Sequence, residues 1–489
     1  MRPLFKFILL FFLPFFALQS CEDFDDVATP EELKVNDFIW KGLNLYYLWQ
    51  ADVPNLSDSR FQYQKDLNSF LYSYSNPSDL FQNLLNKPVS KFPKSDAIDR
   101  FSFITSDYSL LEGVLSGTTK NNGVSYSFKY KNQDENAVIG FVEYVLPNSD
   151  ASNKDIKRGD IFYAVNGVAL YRDRANTRNE NLSQLSKSET YTLNLADYDN
   201  GNFTPNGRSV SLTKTVLSEN PVYINKVIES GNAKIGYLMY NGFYPNYETQ
   251  LNNAFGELKS QGITDFVLDL RYNPGGSVAT ATRLASMITG QFKGQVFARQ
   301  QWNAKVEANF NATKRDNLTN FFTDKINSGA TINSLNLTKI YILTSENTAS
   351  ASELVINGLK PYINVIQIGD FTIGKNVGSI TLYDSPDFSK KDINPSHRYA
   401  MQPLVLKIVN KDGFGDYNKG GLKPDTELKE DYTKLGILGD SSDPLLNAAI
   451  LQIRGSGRKA PQNPKVIFEN IIDNYSLNRF KSEMYVELP

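Results

Sequence analysis

The stretch from Lys339 to Asn376 constrains this chain most, because it sets two isolated polar groups into a strand–turn–helix–strand pattern. The apolar run Ile340–Leu343 reads as a buried strand. Small residues follow, and Ser350 stands where a helix begins over Leu354, Val355 and Leu359. A second apolar run, Val365–Ile368, leads to Lys375, which follows Gly374 and lies 25 residues beyond Ser350. Ser350-Ala351-Ser352-Glu353 has the pattern of a capping box, and a cap is the ordinary role of such a serine. A nucleophile can share that place, since a helix N-terminus offers N–H groups and a positive dipole end to a developing oxyanion. Lys375 fits a solvated turn equally well. Gly369–Lys375 also spells the G-x-x-x-x-G-K of a phosphate loop, but Asn376 replaces the hydroxyl residue that would hold magnesium. The residues beyond it (Val377, Ile380, Leu382) read as strand rather than helix.

With 489 residues the chain has room for roughly two to four domains. Its hydrophobic content of 41% is that of an ordinary globular protein, and a net charge of −2 leaves no nucleic-acid footprint. Residues 1–20 read as an export leader: Arg2 and Lys6 precede the apolar Phe7–Leu18, which is too short to span a bilayer. The leader ends Leu18-Gln19-Ser20-Cys21, which resembles the lipobox of bacterial lipoproteins. The resemblance implies lipidation at Cys21 and a place in the cell envelope as an outer-membrane lipoprotein, periplasmic or surface-exposed. Cys21 is the sole cysteine, so no disulfide forms within one chain and stability rests on the core. The acidic run Glu22, Asp23, Asp25, Asp26 is either a solvated tether or a surface-export signal like that of Bacteroidetes-type lipoproteins. The sole histidine, His397, rules out a multi-histidine metal site. It sits in a polar stretch with no obvious partner and reads as a surface residue, although a Ser–His hydrolase would have to use it.

The pattern divides the chain into a tether at 21–30, a helical N-terminal domain at 31–110 and a β-rich domain at 111–217. An α/β domain at 218–455 and a polar C-terminal extension at 456–489 follow. Helical spacing covers Glu31 to Pro54 (Leu33, Phe38, Leu43, Tyr47), then Arg60–Tyr74 and Pro77–Leu85. The β-rich region opens with the alternating Val124, Tyr126, Phe128, Tyr130. Val145-Leu146-Pro147, Arg158-Gly159-Asp160 and Val165-Asn166-Gly167 resemble a PDZ domain. Such a domain adds an extended C-terminus to a sheet edge and holds its carboxylate on backbone N–H groups, here near Gly123-Val124. Asp197–Arg208 reads as a long loop. In the α/β region, strands at Lys234–Tyr240 and Phe266–Leu270 alternate with helices at Tyr247–Gln261 and Val278–Ile288. The turn Asn273-Pro274-Gly275-Gly276 has the makings of a backbone nest for an anionic oxygen at the end of a strand. Residues 290–338 are polar and Asn-rich, without an assignable role.

Asp269-Leu270-Arg271-Tyr272-Asn273-Pro274-Gly275-Gly276, Thr348-Ala349-Ser350-Ala351-Ser352-Glu353 and Ile373-Gly374-Lys375 occur in that order behind the PDZ-like region. Together they resemble the carboxy-terminal processing (tail-specific) proteases over roughly 111–455, with the lipobox and helical N-terminal region of Bacteroidetes-type members. The resemblance implies a multidomain α/β chain whose catalytic domain is of the ClpP/crotonase-like type. It implies a serine endopeptidase with Ser350 as nucleophile, Lys375 as base and no cofactor. Backbone N–H groups of Gly275 or Gly276 and of Ala351 would form the oxyanion hole. A free lysine titrates at about 10.4, so burial near Phe371 and Ile373 would have to disfavour its ammonium form. Many members carry a glutamine four residues after the lysine to orient it; here that place is Ser379. Protein or peptide substrates, taken by their C-termini, are the implied partners. The alternative is a surface lipoprotein that binds peptides in the PDZ groove without turning them over.

Overall fold

The apolar runs of the α/β region are buried on both faces because they form a mostly parallel sheet covered by helices. In the computed structural model, which describes residues 28–131, 136–176, 179–313, 315–455, 463–464, 468–469, 471 and 484–487, this sheet has six strands. Their order is Val222–Ser230, Ala233–Tyr240, Asp265–Asp269, Lys339–Thr344, Asn364–Gly369 and Thr426–Glu427. All neighbours are parallel except the first pair, a hairpin. The helices Glu248–Ser260, Val278–Thr289 and Ala351–Leu359 lie on the connections between these strands, as parallel pairing requires. The expected leader, Cys21 and most of the tether lie outside the described residues.

A second six-stranded sheet stands beside the first: Gly276–Ser277, Met484–Tyr485, Val377–Ser379, Leu404–Asn410, Val296–Trp302 and Thr319–Phe321. Two of its strands come from 290–338, the stretch without a role in the sequence, and Phe297 and Trp302 bury there. A third comes from the extension at 456–489, which is polar in composition yet inserts the fully buried Met484 between Gly276–Ser277 and Val377–Ser379.

The N-terminal region is helical, with helices Lys34–Tyr46, Gln64–Leu71 and Pro77–Asn83. Pro77 opens the last of these, and the Asn76 side chain caps it by accepting from Ser78 N at 2.9 Å. Phe38, Ile39, Leu43, Leu80 and Phe81 share one continuous hydrophobic core with Leu354 and Val355 of the α/β region. The Asn303 side chain fastens the end of the first helix by donating to the Leu45 and Tyr47 carbonyls at 2.9 and 3.0 Å.

The β-rich region is an antiparallel sheet ordered Val124–Tyr130, Val138–Val145, Ile161–Val165, Thr190–Asp199 and Asn202–Thr213. The expected loop at Asp197–Arg208 is instead the tip of the last hairpin. Asn200 (φ 46°) and Gly201 (φ 94°) take left-handed conformations at the turn, the pattern that an Asn-Gly pair supplies to a two-residue hairpin. Val124–Tyr130 is the outer strand of this sheet.

Candidate active site

Ser350 lies between the central strand Lys339–Thr344 and the helix Ala351–Leu359, in a backbone conformation that is strained for a residue with a side chain (φ 67°, ψ −116°). The turn before it is pinned to the neighbouring loop. Thr348 Oγ1 donates to the Leu270 carbonyl at 2.9 Å, Ala349 N to the Asn273 carbonyl at 3.2 Å and Ser352 Oγ to the same carbonyl at 3.0 Å. Ser350 is fully buried, and its hydroxyl faces the helix N-terminus without making a full hydrogen bond.

Glu353 closes the capping box from the other side and does more. Its Oε2 accepts from Ser350 N at 2.7 Å and from Lys375 N at 2.8 Å. Its Oε1 accepts from Gly374 N at 2.7 Å and from the Thr372 hydroxyl. Ser350 and Lys375 therefore share one acceptor atom, and their backbones abut. Burial raises the Glu353 carboxyl above its usual range, although the four donors pull the other way.

Lys375 is fully buried, with its Nζ 4.9 Å from the centroid of the Phe101 ring. Gly374 precedes it at φ 81°, where a Cβ would lie 2.6 Å from the Tyr417 carbonyl oxygen. The N-terminal region supplies this wall. Asp99, buried and hydrogen-bonded to Tyr47 Oη at 2.8 Å, accepts from Phe101 N and Ser102 N and so shapes the turn. From that turn Arg100 donates to the Gly374 carbonyl at 2.5 Å and the Asn418 carbonyl at 2.9 Å. Arg100 and Phe101 are site residues that the sequence did not point to. Ser379 is buried at the edge of the same space, 3.2 Å from Gln402 Oε1. The Gln402 amide nitrogen in turn donates to Thr381 Oγ1 at 2.9 Å.

The glycine turn is built as a nest, with Gly275 at φ 116° and Gly276 at φ 138°. Gly275 N is not a free donor in this state, because it donates to Asn273 Oδ1 at 2.9 Å. Of the other expected donors, Gly276 is paired with Met484 in a parallel ladder and Ala351 opens a helix whose first N–H groups have no intrahelical acceptor. A fully buried Arg271 anchors this loop, paired with Asp269, Asp443 and Glu430. Burial alone would depress its guanidinium, but the three carboxylates outweigh that and hold it well above its ordinary range. Arg158 of the PDZ-like Arg158-Gly159-Asp160 run reaches the same cluster, donating to Tyr272 Oη at 2.7 Å and Glu430 Oε1 at 3.0 Å.

His397 is not the isolated surface group that its sequence context suggests. Its Nε2 lies 2.9 Å from Asp384 Oδ2, and its Nδ1 accepts from Tyr399 N at 3.1 Å. Both ring nitrogens are thus engaged away from Ser350. A cleft of about 250 Å³ runs from Gly123, Val124 and Lys214 in the β-rich region to Tyr272, Pro274 and Asn347 beside the site.

A strained serine at a helix start, a buried lysine and a glycine nest at a strand end are the parts of a serine hydrolase site, and comparison with known proteins identifies the family. The description Peptidase family S41 matches residues 234–428, and Peptidase S41 N-terminal domain matches 34–103, together more than half of the chain. The chain belongs to peptidase family S41. It is 25% identical over 311 residues to a carboxyl-terminal-processing protease of Picosynechococcus sp., a match spanning 62% of this chain and 64% of that one. It is 23% identical over 392 residues to the chloroplastic carboxyl-terminal-processing peptidase 1 of Arabidopsis thaliana, spanning 78% of this chain and 70% of that one. A crystal structure from Bacteroides fragilis, described as an S41 protease, superposes with a TM-score of 0.64 at 25% identity, over 86% of this chain and 97% of that one.

Proposed function

We propose that this chain is a serine endopeptidase of the carboxy-terminal processing type, in which Ser350 attacks the peptide carbonyl and Lys375 takes its proton. One observation carries the reading: two residues 25 apart in sequence hang on the same oxygen of one buried carboxylate, and the lysine's amine is shut away from water. A buried lysine in its neutral form accepts the hydroxyl proton during attack and returns it to the leaving amine. Ser–Lys pairs perform the work of a triad without histidine. Gly276 N and Ala351 N are the donors for the oxyanion. The position of Val124–Tyr130 at the edge of its sheet and the cleft leading from Gly123 and Val124 to Pro274 support the further reading that the β-rich region holds substrate C-termini as an added strand. Lipidation at Cys21 would put this activity in the cell envelope.

The test is cleavage of an unfolded protein such as reduced casein by residues 22–489, beside Ser350→Ala, Lys375→Ala and His397→Ala. The expected result is cutting by the parent and by His397→Ala, and none by the other two. Retention of rate in Lys375→Ala contradicts the mechanism. A parent that binds peptides with free C-termini but never cuts is a binding lipoprotein.

A further inference from the structure

Two stretches of the C-terminal segment lie on elements that matter to the peptidase reading: the sheet edge assigned to substrate C-termini, and the strands that carry Gly276 and follow Lys375. Glu469 and Ile471 bond to the outer strand of the β-rich sheet. Tyr130 N donates to the Glu469 carbonyl at 2.9 Å, and Ile471 N donates to the Phe128 carbonyl at 3.4 Å. The register falls on one strand as it rises on the other, so the pairing is antiparallel. Ile471, only 3% exposed, enters the core of that sheet beside Phe128 and Phe162. Phe468 packs on Phe141 with ring centroids 5.2 Å apart, and Arg174 pairs with Glu469 at 2.6 Å.

Further on, Met484–Tyr485 lies between Gly276–Ser277 and Val377–Ser379, parallel to both. One neighbour is the glycine nest, and the other is the strand that begins two residues after Lys375. Val486 N donates to the Ser379 carbonyl at 3.1 Å, and the Met484 carbonyl lies 3.2 Å from Ser379 Oγ. Met484 is fully buried, whereas Glu487 is exposed.

Extended peptides bind to sheet edges as added strands, held by backbone hydrogen bonds and by alternate side chains in pockets. Both arrangements here have that form, and the second lies between the two catalytic elements. We propose that the C-terminal segment is an intramolecular occupant of the substrate path. Glu469 and Ile471 hold it at the sheet edge, Met484 to Val486 hold it in the catalytic slot, and a protein substrate must displace it. The slot consequently accepts an extended peptide with an apolar side chain at the Met484 position. The inference rests on the peptidase reading. A tethered competitor acts at high effective concentration, so modest contacts suffice. Substrate affinity is reduced by the fraction of molecules whose slot is open.

The test compares residues 22–489 with Val486→Pro, which removes the N–H that reaches Ser379, and with Ile471→Asp at the sheet edge. Each variant is expected to lower the KM for an unfolded protein by about 10-fold with little change in kcat. A synthetic peptide of residues 463–489 should then inhibit the variants competitively, and the same peptide carrying the proline should not. In a Ser350→Ala background, fluorescently labelled 463–489 should bind the Val486→Pro protein and not the protein with its own tail docked. That arm reads the slot even if no protein cuts, so loss of the peptidase reading and loss of this one are separable. Unchanged or raised KM together with no peptide binding overturns the proposal. So does cooperative unfolding of either variant, or rescue of a dead variant by the peptide, because the segment would then be a structural strand.

Discussion

Glu353 is the residue on which the site turns. It is fully buried and spends its lone pairs on Ser350 N, Lys375 N, Gly374 N and the Thr372 hydroxyl. Glu353→Gln replaces one acceptor oxygen by an amide that faces donors. The fold should persist, while the dyad shifts and kcat/KM falls by about 100-fold, as for small misplacements of reacting groups. A structural role alone would change the urea midpoint without changing the rate of the folded fraction. The raised carboxyl also has a pH signature. A group whose folded pKa lies above its unfolded value stabilises the fold below the unfolded pKa, and that stability is lost as pH rises through the folded pKa. Stability of the parent relative to Glu353→Gln should therefore fall as pH rises above the ordinary carboxyl range, as read by urea midpoints at each pH. The sequence showed Glu353 only as half of a capping box, because its contacts to 372–375 cross to a different element.

Among the elements, the strand–turn–helix around Ser350 and the alternation of strands and helices were legible, since long apolar runs leave few alternatives. The hairpin at Thr190–Thr213 was misread although Asn200-Gly201 marked it: polar residues on exposed strands imitate a loop. Met484–Tyr485 was illegible, because two residues carry no period and their partners lie 100 or more residues upstream. Gly374 shows how tightly one element is aimed. Gly374→Ala puts a Cβ against the Tyr417 carbonyl at a left-handed φ. It should cost about 1–3 kcal/mol and abolish most activity, measured by thermal melts and peptide turnover. Asn273→Ala removes the holder of both Gly275 N and the Tyr240 carbonyl, and should cost about 1–3 kcal/mol through buried groups left unpaired.

For the whole molecule, the site is an assembly of regions distant in sequence. Arg100 and Phe101 come from the N-terminal region, and the Arg100 contact to Gly374 spans 274 residues. Such contacts leave no local trace, which is why the N-terminal region read as a separate helical unit and not as a wall of the lysine pocket. Arg100→Ala should lower kcat with the fold intact, checked by circular dichroism beside the rate. Arg271 ties the glycine-turn loop to Glu430 and Asp443, and Arg158 brings the β-rich region to the same carboxylates. Arg271→Met leaves Asp269 buried without its counter-ion and Asp443 with only Arg158 at 3.6 Å, and should cost about 3–5 kcal/mol in urea unfolding.

The central claim is that Ser350 is activated by Lys375. The direct measurement is labelling of the protein by a fluorophosphonate probe, with the modified residue located by mass spectrometry. The probe should mark Ser350 alone, fail on Ser350→Ala, react at an undiminished rate with His397→Ala, and slow by about 100-fold or more on Lys375→Ala. A label on another residue, or an undiminished rate without Lys375, would contradict the account.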